Sequence, residues 1–277
     1  AMPGASEGFM APVTDNPESM QPTRGADTTA PRFTLRTMRA KARAHVKLSR
    51  PEALRYLGYS GQTINEELTR RLDKWALACE NELSPTYTWR AFAIDKERTS
   101  WEGEPVVALQ GCNLLLEGNS IATHLRGAHF AACFAATLGL ASERALHSLG
   151  ATNPLDAILY DACCNALIEA VAQAAQEDIA AEAEKAGLFA RMRFSPGYGD
   201  LPLAVQPRFI EALDAQKLLG LSVNSSLLLV PAKSVTAVVG LFSTVPQTPA
   251  RTPCQDCIAR EYCSYLEKGI TCYGNHH

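Results

Sequence analysis

Arg191-Met192-Arg193-Phe194-Ser195-Pro196-Gly197-Tyr198-Gly199-Asp200 decides how this chain is read. Leu188 to Phe194 reads as a strand that carries alternating arginines, and it breaks abruptly at Pro196-Gly197. A strand that ends so sharply leaves backbone N–H and C=O groups unpaired and open to a ligand. Arg193 can fork onto a carboxylate with two parallel hydrogen bonds. Gly197 lets a ligand come close to the backbone, and Tyr198 offers a flat face beside a polar tip. Taken bare, the stretch also fits a strand followed by an ordinary turn with a surface arginine.

Working outward, Thr63 to Leu83 has the period of a helix. Thr63 and Glu66 are at capping-box spacing, and Ile64, Leu68, Leu72, Trp75, Cys79 and Leu83 share one apolar face. Tyr87 to Ile94, Val106 to Leu116 and the small apolar run Ala128 to Leu138 read as strands. Asn119 or Ser120 can cap a short helix through Arg126. Asn153-Pro154 is a strong helix start, and that helix can run to Lys185 with Gly187 beyond its end, or break on the way, since about thirty residues is long for one helix. Pro207 to Ala215 reads as a helix, and Ser226 to Val230 with Ser234 to Phe242 as a hairpin. This order is not a strand-helix alternation, so the expected class is α+β rather than doubly wound. GxGxxG and GxxxxGK[ST] are both absent.

The chain has 277 residues, 47% hydrophobic and 20% charged, which is ample for a sizeable core. Its net charge of −3 supplies no global field to recruit nucleic acid. No apolar run reaches a membrane span; the nearest, Ala157 to Ile179, carries Asp161, Glu169, Glu177 and Asp178. Nine cysteines without a secretory signal predict a reducing cytoplasm. Residues 1–31, rich in Pro, Gly, Ser and Thr, are expected to be a disordered tail or, with Ala1 ahead of Met2, an expression remnant. The domain proper is expected over 32–243, followed by a linker and cysteine-rich tail over 244–277. Arg32 to Arg50 holds seven basic residues and no acid, which reads as a solvated segment or as a docking strip for an acidic partner such as a flavodoxin.

Arg193-x-Ser195-Pro196-Gly197-Tyr198 resembles the Arg-x-[Ala/Ser]-Pro-Gly-Tyr motif of the activation (reactivation) domain of cobalamin-dependent methionine synthase. Leu54 to Tyr59, Leu116 to Ile121, Ala136 to Gly139 and Pro231 to Thr236 are similar to segments of the short, stand-alone form of that domain. The resemblance covers residues 46–243. It implies a twisted antiparallel sheet with flanking helices, and S-adenosylmethionine (AdoMet) held by Arg193, Ser195, Gly197 and Tyr198. The aromatic face of Tyr198 would also suit a sulfonium cation. The chain departs from the full synthase in two respects. The homocysteine, folate and cobalamin modules and the Asp-x-His-x-x-Gly corrinoid signature are missing from it, so cobalamin is expected on a partner protein. The second ligand-contacting tyrosine of the family has no counterpart in Ser234 to Val239. His124 and His129 read as ordinary partly buried histidines.

Two further constellations stand out. Asp161, Asn165 and Glu169 are spaced i, i+4, i+8 and share one face of the long helix. They read either as a solvated stripe or as groups lining the cleft, meeting ribose hydroxyls, the amino group of AdoMet or the corrin edge. Cys254-x2-Cys257-x5-Cys263, then Cys272, is a candidate metal-binding cluster, since the two-residue gap lets the first two thiolates reach one metal. The uneven spacing suits an iron-sulfur cluster better than zinc, with free thiols or a disulfide as the other readings. Cys79, Cys112, Cys133, Cys163 and Cys164 fall in apolar segments and read as small core residues.

The expected function is AdoMet-dependent reductive methylation of cob(II)alamin on a partner corrinoid protein, with a flavodoxin or ferredoxin-type electron donor. That chemistry needs positioning rather than a general acid or base, so no catalytic side chain is assigned. The other readings are a non-catalytic corrinoid-protein-binding or AdoMet-sensing subunit, and an iron-sulfur redox module built on the C-terminal cysteines.

Overall fold

The computed structural model describes residues 42–44, 46–59, 61–246, 254, 260–263 and 266. These all belong to the compact unit 31–277. The expected tail 1–31 and most of the basic segment lie outside the described residues, as do Cys257 and Cys272.

The elements follow one another as β1 (Ala42–Arg43), α1 (Arg50–Tyr56), α2 (Glu66–Glu82), β2 (Thr86–Ala93), β3 (Val106–Ala108), β4 (Leu115–Glu117), α3 (Asn119–Leu125), β5 (Phe130–Thr137) and α4 (Leu140–Thr152). Then come α5 (Pro154–Lys185), β6 (Phe189–Ala190), α6 (Gln206–Ala212), α7 (Ala215–Leu219), β7 (Ser222–Val223), β8 (Leu229–Val230) and β9 (Ser234–Phe242). The central sheet has the order β1-β2-β5-β9-β6 and is antiparallel throughout. The expected α+β class, an antiparallel sheet with flanking helices, is what the chain forms.

Strand parity explains the layering. Tyr87, Trp89, Ala132, Phe134, Ala136, Ala237 and Val239 face a core shared with α2 and α5, while Phe92, Ala131, Cys133, Ala135 and Val238 face a second core. That second core is closed by the β3–β4 hairpin, α3, α6 and α7. β5 is buried on both faces, and its run of alanines lets both layers approach closely. Cys79, Cys133, Cys163 and Cys164 are indeed small core residues, and Cys112 is half-buried.

α5 organises the helical layer. Asn153 caps it by accepting from the Asp156 N–H, Pro154 opens it, and it runs unbroken for 32 residues. Its buried face includes Cys163, Ala166, Leu167, Val171 and Ala175. α2 is capped by Asn65, which accepts from the Leu68 N–H, and not by the expected Thr63–Glu66 box. Among the described residues, no helix is long and apolar enough to cross a membrane.

Three strand expectations are corrected. Val106 to Leu116 is a hairpin of β3 and β4, because Gly111, at φ +76°, reverses the chain between them. Ser226–Val230 and Ser234–Phe242 do not pair with each other. β8 pairs with β7 through a turn built by Asn224, whose Oδ1 accepts from the Ser226 and Leu228 N–H groups. β9 instead lies between β5 and β6. Finally, Leu188–Phe194 is regular strand only at Phe189–Ala190, and its end returns to the sheet as a single bridge, Phe194 to Val238.

Candidate functional site

The bridge at Phe194 fixes where the motif leaves the sheet. Phe194 exchanges two 2.8 Å hydrogen bonds with Val238, so both polar backbone groups of Val238 point toward that edge. Two residues back along β9, the backbone groups of Thr236 point the same way by strand parity. The motif chain has already turned away there, at the buried Pro196, so among the described residues this edge of β9 meets no further strand.

The turn itself is tightly held. The Gly197 N–H donates to the Leu201 carbonyl at 2.8 Å and the Tyr198 N–H to the Ser195 carbonyl at 3.1 Å. Among the described residues, the Ser195 N–H and the Gly197 C=O are among the backbone groups of this turn that make no backbone hydrogen bond and could meet a ligand. Gly197 sits at φ +91°, where a side chain is strained, and a Cβ there would lie 3.2 Å from the Leu203 side chain. Tyr198 is exposed.

The turn rests on α3. Asp200 accepts from the Asn119 N–H at 2.6 Å and the Ser120 N–H at 2.9 Å, so it caps that helix from 80 residues away. At the other end of α3, Arg191 donates to the carbonyls of His124 and Thr123. An anion at the helix start and a cation at its end both oppose the helix dipole favourably. Neither Asn119 nor Ser120 caps the helix with its own side chain. Gly118 is the N-cap, where a Cβ would lie 2.6 Å from the Asp200 carboxylate. Burial alone would raise the Asp200 carboxyl, but the Ser120 and Asn119 N–H groups outweigh it and hold the acid below its usual range.

The helix stripe and the motif arginine meet. Arg193 donates to Glu169 at 2.8 Å and to Gln173 at 3.0 Å, and Gln176 Oε1 accepts from the Arg193 backbone N–H at 2.9 Å. Asp161 and Asn165 face a different cation. Lys233, in the turn before β9, donates to Asp161 at 2.6 Å and to Asn165 at 2.7 Å. Asn165 in turn donates to Asp161 at 3.1 Å, which closes a three-membered ring of contacts. The turn that carries Lys233 is held by Glu143 of α4, which accepts from the Ala232 N–H, and by the Leu138 N–H, which donates to the Lys233 carbonyl.

One face of α5 therefore carries two ion pairs in sequence, Lys233–Asp161 and Arg193–Glu169. Beside them, α1, α4 and α5 frame an open groove of ≈ 360 Å³ lined by Tyr56, Leu57, Leu146, Ile158, Asp161 and Asn165. A guanidinium and a carboxylate held side by side match the carboxylate and ammonium of an α-amino acid, so the donor set fits the amino-acid end of AdoMet. Asp161 has spare acceptor capacity for hydroxyls.

The roles of Gln173, Gln176, Lys233 and Asp200 are additions to the sequence reading. The first two continue the Asp161–Glu169 stripe by one and two more turns, a signal available in the sequence. In the tail, Cys254 is buried and Cys263 is half-buried. Among the described residues, no group of three or more His, Cys, Asp or Glu is poised to hold a metal ion.

Fold and site together define an α+β domain in which a strand-end motif faces the polar side of one long helix. One solved structure with this architecture is the MetH reactivation domain bound to S-adenosylhomocysteine (AdoHcy). It superposes with a TM-score of 0.51 at 16% identity, covering 79% of this chain and 80% of that one. At that identity the likeness establishes the shared fold. No protein-family model matches the chain, and no curated protein sequence matches it.

Proposed function

We propose that this chain binds AdoMet and uses it to return an inactive cob(II)alamin, carried by a separate corrinoid protein, to its methylated state. The setting would be a methionine synthase or a related corrinoid methyltransferase system. The observation that carries this reading is the Arg193–Glu169 pair at 2.8 Å, set beside the Arg-x-Ser-Pro-Gly-Tyr turn. It is supported by a shared fold with a reactivation domain whose structure holds AdoHcy, which is what AdoMet becomes on giving up its methyl.

AdoMet would supply an electrophilic methyl group on a sulfonium. One electron from a flavodoxin- or ferredoxin-type donor and one methyl cation convert cob(II)alamin to methylcobalamin and release AdoHcy. The electron transfer is uphill, and methyl transfer makes the sequence irreversible. The protein's part is placement, which turns a meeting of two molecules into a near-attack geometry. Arg193 would hold the ligand carboxylate, and Glu169, released from Arg193, would take the ammonium. The Ser195 N–H and Gly197 C=O would satisfy the ligand's polar edge, and Tyr198 would pack on it. Asp161 and Asn165 would meet the ribose hydroxyls. No side chain needs to move a proton.

The test is an anaerobic mixture of this protein, AdoMet, a one-electron reductant and a corrinoid protein loaded with cob(II)alamin. The expected result is growth of the methylcobalamin spectrum, lost in Arg193→Ala. A cob(II)alamin spectrum that does not change with the wild-type protein would overturn the reading.

A further inference from the structure

The groove between α1, α4 and α5 has one member that the motif does not explain, Tyr56. Arg55 covers one face of its ring, with the guanidinium 4.6 Å from the ring centre, and the ring lines the groove. Burial, with the Glu169 carboxylate close by adding to it, pushes the Tyr56 hydroxyl up to about 12. Tyr56 shares the groove lining with Asp161 and Asn165 of α5. Leu57 and Leu146 add apolar wall, and Ile158, 57% exposed, forms an open rim. A groove of ≈ 360 Å³ falls among small-molecule clefts, which run on the order of 300–1,000 Å³.

The geometry points to this groove as a nucleoside subsite, in which Tyr56 stacks on a purine while Asp161 takes the ribose diol. The inference rests on the AdoMet reading for the identity of the whole ligand, but not for the chemistry of the groove. Apolar walls, one aromatic face and a carboxylate with spare lone pairs are what a flat heterocycle joined to a diol requires. The spacing agrees. Asp161 and Glu169 are eight residues apart, about 12 Å along the helix. An extended adenosyl amino acid spans seven bonds from carboxylate carbon to ribose diol carbon, roughly 9 Å. The side chains of Arg193 and Asp161 close the remainder.

Free adenosine is the direct probe, because it lacks the amino-acid end and cannot use Arg193. Calorimetry or ligand-observed NMR should show adenosine binding equally to wild type and to Arg193→Ala. Tyr56→Leu and Asp161→Ala should each weaken it at least ten-fold, and Tyr56→Phe should retain it. If Tyr56→Leu fails to fold, Ile158→Asp, on the exposed rim, should produce the same loss. Adenosine that does not bind wild type, or that binds all these variants equally, overturns the subsite. Adenosine bound in the groove while AdoMet fails to bind would overturn the AdoMet reading and leave the subsite standing. AdoMet bound with affinity independent of Tyr56 and Ile158 would overturn the subsite alone.

Discussion

Arg193 donates to the Glu169 carboxylate at 2.8 Å, so the residue that the motif would offer to a ligand carboxylate already holds one from its own chain. The guanidinium side chain is 20% exposed and the carboxylate 41%. At that exposure the pair contributes little to stability by itself. The pair holds Arg193 against α5, with Gln173 and Gln176 fixing its approach, and on the proposed reading a ligand carboxylate would take Glu169's place at small cost.

The first prediction separates the two partners. Arg193→Ala removes the fork for the ligand carboxylate and should weaken AdoMet at least 30-fold, about 2 kcal/mol. Glu169→Gln removes the group expected to hold the ammonium and should weaken AdoMet about ten-fold, near 1.4 kcal/mol. It should leave the deaminated analogue of AdoMet undiminished, because that ligand lacks the ammonium and no longer competes with a carboxylate for Arg193. Calorimetric titration of both ligands checks this. Parallel losses for the two ligands in Glu169→Gln would remove the ammonium role.

Asp200 gives a prediction about stability. Its carboxyl is held below the unfolded value of about 3.9, so the stabilisation it gives is complete above that pH. It is lost as pH falls through the folded value, where the native state must take up the proton. Asp200→Ala should cost about 1 kcal/mol at neutral pH, as other lost helix caps do. The difference between variant and wild type should shrink below pH 4. Urea unfolding at pH 7 and pH 3 measures it, and a gap of constant size would rule out the cap. The same variant should weaken AdoMet, because Asp200 ties the motif turn to α3.

The parts of the fold legible in sequence are those governed by local rules. Asn153-Pro154 and Lys185 mark the ends of α5, although its length leaves a break open, and the small apolar run Ala128 to Leu138 marks a buried strand, which the fold buries on both faces. The Asp161–Asn165–Glu169 face was legible for the same reason, since helical spacing alone places three side chains in line. What escaped depends on distant partners. The cap of α3 is Asp200, 80 residues beyond, and no local pattern announces it. Lys233 lies within a recognised segment, but its contacts with Asp161 and Asn165 come from the docking of a turn onto α5. α4 was missed because its apolar positions serve only to pack against α5, and its periodicity is correspondingly weak.

Lys233 supports the third prediction. Its side chain is 15% exposed and is bound to both Asp161 and Asn165. Lys233→Met leaves Asp161 without its cation and frees the turn from α5. The expected loss is about 1 kcal/mol, discounted because Asp161 is partly exposed. That corresponds to a fall in melting temperature of roughly 2–4 °C for a domain of this size. Lys233→Arg should recover most of it. Scanning calorimetry of the two variants distinguishes lost charge from lost shape, and equal destabilisation by both would assign the effect to packing.

The last prediction concerns pH. The His124 ring packs against Phe194 of the motif, with ring centres 5.3 Å apart, and its Nε2 is buried without a hydrogen-bond partner among the described residues. Burial, reinforced by the nearby Arg191 guanidinium, drives its pKa down to about 3. An unfolded histidine titrates near 6.5. Between those values the unfolded chain binds a proton that the folded chain refuses, so stability must fall as pH drops from 6.5 toward 3 and is unaffected above. Each pH unit in that window is worth about 1.4 kcal/mol. Between pH 7.5 and 5.5, wild type should therefore lose about 1.4 kcal/mol more than His124→Gln, which carries no titrating ring. Because the folded ring stays neutral over this window, AdoMet affinity should be level across it in both wild type and variant. Urea unfolding and binding titrations at the two pH values read both effects. A wild-type stability profile that matches the variant's would show that the folded ring titrates as the unfolded one does, and would overturn its burial as a neutral group.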